Sequence, residues 1–228
     1  MQARILFLFA FLIVLSCSPQ VKSTNKDCGT IEKKVTQLFY EYELTSDTAY
    51  LDSVWLYSNI AFTECKDSIF ILKSKFWKLN VLQFKHKYFA AANYIDSIPI
   101  NEIMRLPFYK DFLKYRFEAM GYNYKGDIIH RDSCLIMIDT MLSNFLDSHK
   151  KEIYSLLKER TVEQLFQEPL FRAFIAYYEN RKFLYSCEKA KAELDSLYKI
   201  LKLNNEEFYY TWIETFCYNT DFYNFSLL

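Results

Sequence analysis

Glycine and proline are scarce in this chain, which has three glycines and four prolines in 228 residues. Sheets of this size need many turns, and turns draw heavily on Gly and Pro, so the scarcity argues against a β fold. The 19 tyrosines and 21 phenylalanines favour helices, because large rings fill the gaps between irregularly packed helices. Hydrophobic residues make up 51% of the chain, which excludes an intrinsically disordered protein. The composition predicts an all-α fold of long helices with short polar links.

The spacing of the apolar residues supports this prediction along the chain. Ile31, Val35 and Leu38 stand three or four positions apart, as on one face of a helix. Turn and capping residues such as Ser46 and Asp47 separate the apolar stretches. The predicted helices cover residues 30–42, 50–61, 68–84, 88–98, 108–120, 133–145, 153–166, 170–185, 190–203 and 208–218.

The first 16 residues have the pattern of an export signal. Arg4 precedes an unbroken apolar run over residues 5–15. A run of this length is a helix of about 16 Å, whereas a bilayer core of about 30 Å requires around 20 apolar residues. The run has the length of a signal peptide rather than of a transmembrane helix. We therefore predict a signal peptide over residues 1–16.

The end of that run, Val14-Leu15-Ser16-Cys17, resembles the lipobox of bacterial lipoproteins. The resemblance implies a diacylglycerol on the Cys17 sulfur, cleavage before Cys17 and acylation, for example by palmitate, of the new α-amine. Several acyl chains anchor a protein durably in a membrane. The alternative is a cleavable secretory signal with an incidental cysteine.

Residues 17–26 then form a polar tether. The tether has no acidic residue before Asp27, so a position facing the periplasm is favoured over surface display. The predicted location is the cell envelope, with the protein anchored to the inner or the outer membrane. Residues 27–228 form the predicted helical domain.

Two segments of that domain are similar to tetratricopeptide repeats. In the first, Ala91 lies where paired helices approach closely, Ile95 and Ile98 continue the packed face, and Pro99 ends the unit. In the second, residues 124–127 resemble the Gly-Asp turn of the repeat. Tyr88 and Tyr124 are separated by about one repeat period of 34 residues. The resemblance covers residues 67–145 and implies a right-handed solenoid of stacked antiparallel helical hairpins, although Leu79-Asn80 replaces the usual Leu-Gly step.

Five cysteines follow Cys17, and export to an oxidising compartment makes disulfides candidates. Cys28 begins the first predicted helix and Cys65 ends the second, so the two meet if the helices form an antiparallel hairpin. Cys187 and Cys217 are placed at similar distances from the turn of a second hairpin near the carboxyl end. Buried free thiols are the alternative for Cys28 and Cys65. The odd number leaves at least one cysteine without a partner in the chain.

Residue patterns exclude several kinds of site. The cysteines and the three histidines lack zinc-ligand spacing, and three glycines are too few for Gly-rich phosphate loops. The 28 basic and 28 acidic residues cancel, which argues against nucleic-acid binding. Several Asp residues stand at predicted helix starts, where they cap backbone N–H groups. We expect no catalytic site, no metal and no cofactor.

The expected function is therefore binding. Stacked helical hairpins present grooves, and we expect a membrane-anchored scaffold or interaction module with a protein partner. One alternative is a glycan-binding lipoprotein that uses exposed aromatic rings, for which residues 208–225 are the richest stretch. Another alternative is an immunity lipoprotein that neutralises a toxin.

Overall fold

The computed structural model describes residues 26–99, 106–202 and Cys217. All regular secondary structure in these residues is α-helical, and within each unit most helices that follow one another in the chain pack together. This architecture confirms the predicted all-α fold of packed helical hairpins. The chain divides into two compact units, the first ending at Pro99 and the second beginning at Ile100. The predicted helical domain, residues 27–228, spans this boundary.

In its described residues, 26–99, unit 1 contains four helices that pack in chain order, each against the next. Short polar links join them, and Asp47 and Asp67 begin two of the helices by accepting hydrogen bonds from the backbone N–H groups of Ala49 and Ile69. Such caps satisfy N–H groups that have no partner inside the helix. The helices are α1 (Lys26–Thr45), α2 (Thr48–Glu64), α3 (Ser68–Phe84) and α4 (Tyr88–Ile95).

The core of unit 1 lies between α1, α2 and α3. Its buried side chains come from the apolar positions that repeat every three or four residues, and they include Val35, Leu51, Val54 and Trp77. Burial of a large aliphatic side chain contributes about 1.5–3 kcal/mol. The apolar spacing therefore determines which face of each helix is buried.

A disulfide joins the two ends of the α1–α2 hairpin. Cys28 lies in the first turn of α1, and Cys65 is the residue that follows α2. Their Cα atoms are 6.0 Å apart, and both residues are buried. This is the pairing that the hairpin geometry predicted from the sequence.

Unit 2 contains six helices in its described residues. A capping box at Thr161 and Gln164 begins the shortest of them, and Pro169 occupies the first turn of the helix that follows. The helices are α5 (Tyr109–Tyr124), α6 (Ile128–Ser148), α7 (Lys150–Glu159), α8 (Val162–Gln167), α9 (Pro169–Leu184) and α10 (Cys187–Leu201).

Two hairpins, α5–α6 and α9–α10, form the frame of unit 2, and α6 packs against α9 to join them. In the first hairpin, Gly126 has a φ of +74°, a conformation that glycine adopts at little cost. Asp127 then caps α6 by accepting from the backbone N–H of His130. Because of this cap, α6 begins at Ile128, five residues before the predicted start.

A second disulfide joins Cys187, the first residue of α10, to Cys217, with their Cα atoms 5.6 Å apart. This is again the pairing proposed from the sequence. The fifth cysteine, Cys134, is a buried free thiol on α6.

No helix in the described part of the chain is both long enough and apolar enough to cross a bilayer.

Removing the Cys28–Cys65 disulfide by the double substitution Cys28→Ser/Cys65→Ser should destabilise the protein. The bond closes a loop with a sequence separation of 37 residues, and cross-links of this span stabilise by about 3–4 kcal/mol in the chain-entropy model. Urea unfolding of the oxidised protein measures the difference. Cys134→Ala, which removes only the free thiol, is the control. Unchanged stability of the double variant, or alkylation of native Cys28 and Cys65 as thiols, would contradict the pairing.

Candidate functional site

A half-open cavity of about 160 Å³ lies in unit 2, where α6, α7, α9 and α10 come together. Ile153 of α7 and Phe174 of α9 form part of its buried apolar wall. Exposed Asp147 and Lys150, on either side of the α6–α7 junction, form part of its rim. The cavity thus combines an apolar interior with a polar edge, as is usual for small-ligand sites.

Three tyrosines give the cavity its aromatic character: Tyr154 of α7, and Tyr177 and Tyr178 of α9. The rings of Tyr177 and Tyr178 meet edge to face with centroids 5.1 Å apart, and Tyr178 makes a similar contact with Phe174 at 5.0 Å. Edge-to-face pairs are a favoured arrangement of aromatic rings. These contacts hold the α9 rings in fixed orientations.

An ion-pair network holds the hydroxyl of Tyr177. Arg181, one turn further along α9, donates hydrogen bonds to the Tyr177 hydroxyl and to Glu193 of α10, the latter at 2.9 Å. Its guanidinium also lies 5.1 Å from the centroid of the Tyr177 ring and 4.9 Å from that of Tyr185. Arg181 therefore contacts Tyr177, Glu193 and Tyr185, and it restrains the Tyr177 side chain in the cavity wall.

Asp139 of α6 completes this network. Burial raises the pKa of its carboxyl, and the Glu193 charge adds to the rise, while Arg181 opposes it. Its buried Oδ1 atom and the Nε atom of Arg181 have no hydrogen-bond partner in the described residues. Burial also raises the pKa of the Tyr177 hydroxyl, so this group is neutral and keeps its proton near neutral pH.

A second polar cluster lies between α5 and α9. Burial raises the pKa of Glu179 to about 7, although Lys182 and Arg116 oppose this rise. Lys182 Nζ lies 3.7 Å from the Glu179 carboxylate. Burial likewise lowers the pKa of Arg116 to about 10, against the opposing effects of Tyr109 and Glu179. The cluster links the two hairpins of unit 2 through partly buried charges.

The structure does not bring the histidines together. His86 pairs with the Tyr88 hydroxyl at 2.7 Å, and His130 pairs with the Asp127 carboxylate at 2.7 Å. His149 lies against the backbone carbonyl of Phe145 at the end of α6. No group of three or more potential metal ligands occurs in the residues that the structure describes.

Two predicted sites lie outside the described residues. Cys17 and the lipobox belong to residues 1–25, and most of the aromatic stretch 208–225 is also outside them, apart from Cys217. Cys134, by contrast, is described: burial raises the pKa of its thiol to about 11, and the nearby Glu118 charge adds to this. A thiol in this environment stays protonated and unreactive.

The cavity residues do not stand out in the sequence. Residues 170–185 are predicted as one strongly apolar helix, in which the tyrosine pair is not distinguished from its neighbours. The available signal was the change from Tyr177-Tyr178 to the charged and polar run 179–182 within one helix. When one part of a helix is apolar and the next part is charged, the two parts require different neighbours.

The chain matches no known protein-family model, no curated protein and no solved structure at a significant level.

The Glu179 carboxyl should make stability depend on pH. In the folded protein this carboxyl has a pKa of about 7, whereas the ordinary pKa of a Glu side chain is 4.5. The contribution of this proton to the free energy of unfolding is therefore greatest below pH 4.5 and is lost as the pH rises to about 7. The loss is at most about 3 kcal/mol. Urea unfolding at intervals from pH 5 to pH 8 measures the loss. Glu179→Gln should flatten this part of the profile, whereas Glu64→Gln, at an exposed position in unit 1, should not. Equal slopes in all three proteins would contradict the assignment.

Proposed function

We propose that this chain is a lipid-anchored protein of the bacterial cell envelope whose helical domain binds a protein partner. The observation that carries the proposal is an apolar surface on α6. Ile129, Ile136 and Met137 are 79%, 52% and 47% exposed. Their spacing places them on one side of α6, together with Ser133 and Thr140. We call these five residues the α6 stripe.

The two hydroxyl residues do not make the α6 stripe polar. Ser133 donates its hydroxyl proton to the carbonyl of Ile129 at 2.9 Å, and Thr140 donates to the carbonyl of Ile136 at 2.9 Å. Such bonds inside a helix occupy the hydroxyl protons. The α6 stripe therefore offers mainly apolar atoms to a partner, and continuous exposed apolar surfaces are typical of protein interaction sites.

The anchor part of the proposal rests on Val14-Leu15-Ser16-Cys17 and the apolar run before it. A lipid anchor confines the domain to a layer near the membrane, within reach of a tether of residues 17–26. Confinement raises the local concentration of a partner in the same layer. Weak apolar contacts of the α6 stripe are then sufficient for association.

The anchor is tested by Cys17→Ala. This variant should move from the membrane fraction to the soluble envelope fraction, and it should no longer incorporate labelled palmitate, because it has neither the sulfur that carries the diacylglycerol nor the cysteine α-amine that is acylated. Cys134→Ala, which keeps the lipobox, should remain in the membrane fraction and keep the label. Membrane association of Cys17→Ala at the native level would contradict the anchor.

The α6 stripe is tested by photo-crosslinking in intact cells with a crosslinking residue at Ile136. We expect a discrete protein adduct that weakens at least fivefold in Ile129→Lys, because a cation would be desolvated in an apolar interface. Ile200→Lys is the matched control, since Ile200 is 71% exposed on α10, outside the α6 stripe. No protein adduct, or an equal loss in both lysine variants, would overturn the interaction proposal.

A further inference from the structure

The cavity between α6, α7, α9 and α10 has the size of one ring. Its volume is about 160 Å³, and a cavity of about 150 Å³ holds one benzene molecule. Drug-sized ligands require roughly 300–1,000 Å³. A ligand of this cavity is therefore a single six-membered ring or the terminal ring of a larger molecule.

The walls favour a ring with exposed C–H groups. Tyr154, Tyr177, Tyr178 and Phe174 all line the cavity. The face of an aromatic ring carries partial negative charge, so it attracts the partly positive hydrogens of a ligand C–H face. Tyr177 is held by Arg181, which is itself held by Glu193. A wall that is rigid before binding costs little ordering entropy when the ligand enters.

The rim favours a ring that is neutral and carries hydroxyl groups. Asp147 and Lys150 both line the cavity, so an anion meets the carboxylate and a cation meets the ammonium group. A ligand hydroxyl donates one proton and accepts at two lone pairs, which allows it to bind either charge. Ser143 and the Tyr177 hydroxyl add further polar atoms to the same cavity.

We propose that this cavity binds one neutral pyranose unit, either as a free monosaccharide or as the terminal residue of a glycan. The ring packs its C–H face on the tyrosines and directs hydroxyl groups to Asp147, Lys150 and Ser143. None of these residues belongs to the α6 stripe. The pyranose site and the proposed protein interaction can therefore be tested independently of each other.

The test uses the full chain, purified from membranes in detergent, and saturation-transfer NMR with the methyl pyranosides of glucose, galactose, mannose and N-acetylglucosamine. We expect saturation transfer to at least one of them. Tyr154→Ala should weaken binding about tenfold through loss of ring contact, and Tyr154→Phe should keep affinity within about twofold. Leu197→Trp, which fills the cavity from α10, should abolish binding. Circular dichroism verifies that each variant is folded.

Tyr40→Ala is the matched control, because Tyr40 is a 47% exposed tyrosine in unit 1, and it should bind as the native protein does. Absence of saturation transfer to all four pyranosides would overturn the proposal. Native affinity in both Tyr154→Ala and Leu197→Trp would also overturn it, since the sugar then binds elsewhere. N-acetyl-tyrosinamide serves as a probe for an aromatic side chain, and binding of this probe alone would identify a pocket for a protein partner instead.

Discussion

Unit 2 depends on the burial of α9. This helix packs against α6, α7, α8 and α10, and nine of its 16 residues are buried. A helix surrounded in this way needs apolar residues on most sides, and residues 170–176 supply them apart from Arg172. Residues 179–182, in its carboxyl-terminal half, are polar or charged, so each of these groups requires a partner to offset the loss of water. Helices α5, α6 and α10 supply those partners.

The polar residues of α9 have partners on three other helices. Asn180 donates to the backbone carbonyl of Leu135 on α6 at 2.9 Å, and Arg181 binds Glu193 on α10. Glu179 interacts with Lys182 on α9 and with Arg116 on α5. Removing one partner of a buried polar pair costs more than the pair contributes, since the other group stays buried without a bond. The polar residues therefore specify how α5, α6 and α10 are placed around α9.

Helix α6 contributes to both surfaces proposed for binding, the α6 stripe and the cavity, but with different residues. Its first half exposes Ile129 and Ile136, whereas Ser143 and Asp147 in its second half line the cavity. An apolar stripe recognises shape and excludes water, whereas a ring-sized cavity with charged groups at its rim recognises a small polar ligand. The residues of the two surfaces are separate, so substitutions in one leave the other intact.

Sequence patterns predicted the secondary structure well because helical periodicity and capping are local. Helix boundaries were less accurate, as at α6, where the Asp127 cap after Gly126 begins the helix earlier than its apolar pattern does. The pairings of Cys28 with Cys65 and of Cys187 with Cys217 could also be predicted from the sequence, because a hairpin brings its two ends together whatever surrounds it. The cavity could not be predicted from the sequence. Its walls come from four helices, and no spacing within one segment reports which side chains meet across them.

The sequence by itself determined the all-α class, since so little glycine and proline leaves few turns and the apolar residues recur at helical spacing. It also determined the disulfide candidates, through the position of each cysteine at a hairpin end. Only the tertiary structure decided that Tyr154 of α7 lines the same cavity as Tyr177 and Tyr178 of α9, and that Arg181 holds Tyr177 in its place there. Local patterns arise from interactions over three or four residues, whereas the cavity arises from packing between helices distant in sequence, where side-chain shape and charge select the neighbours.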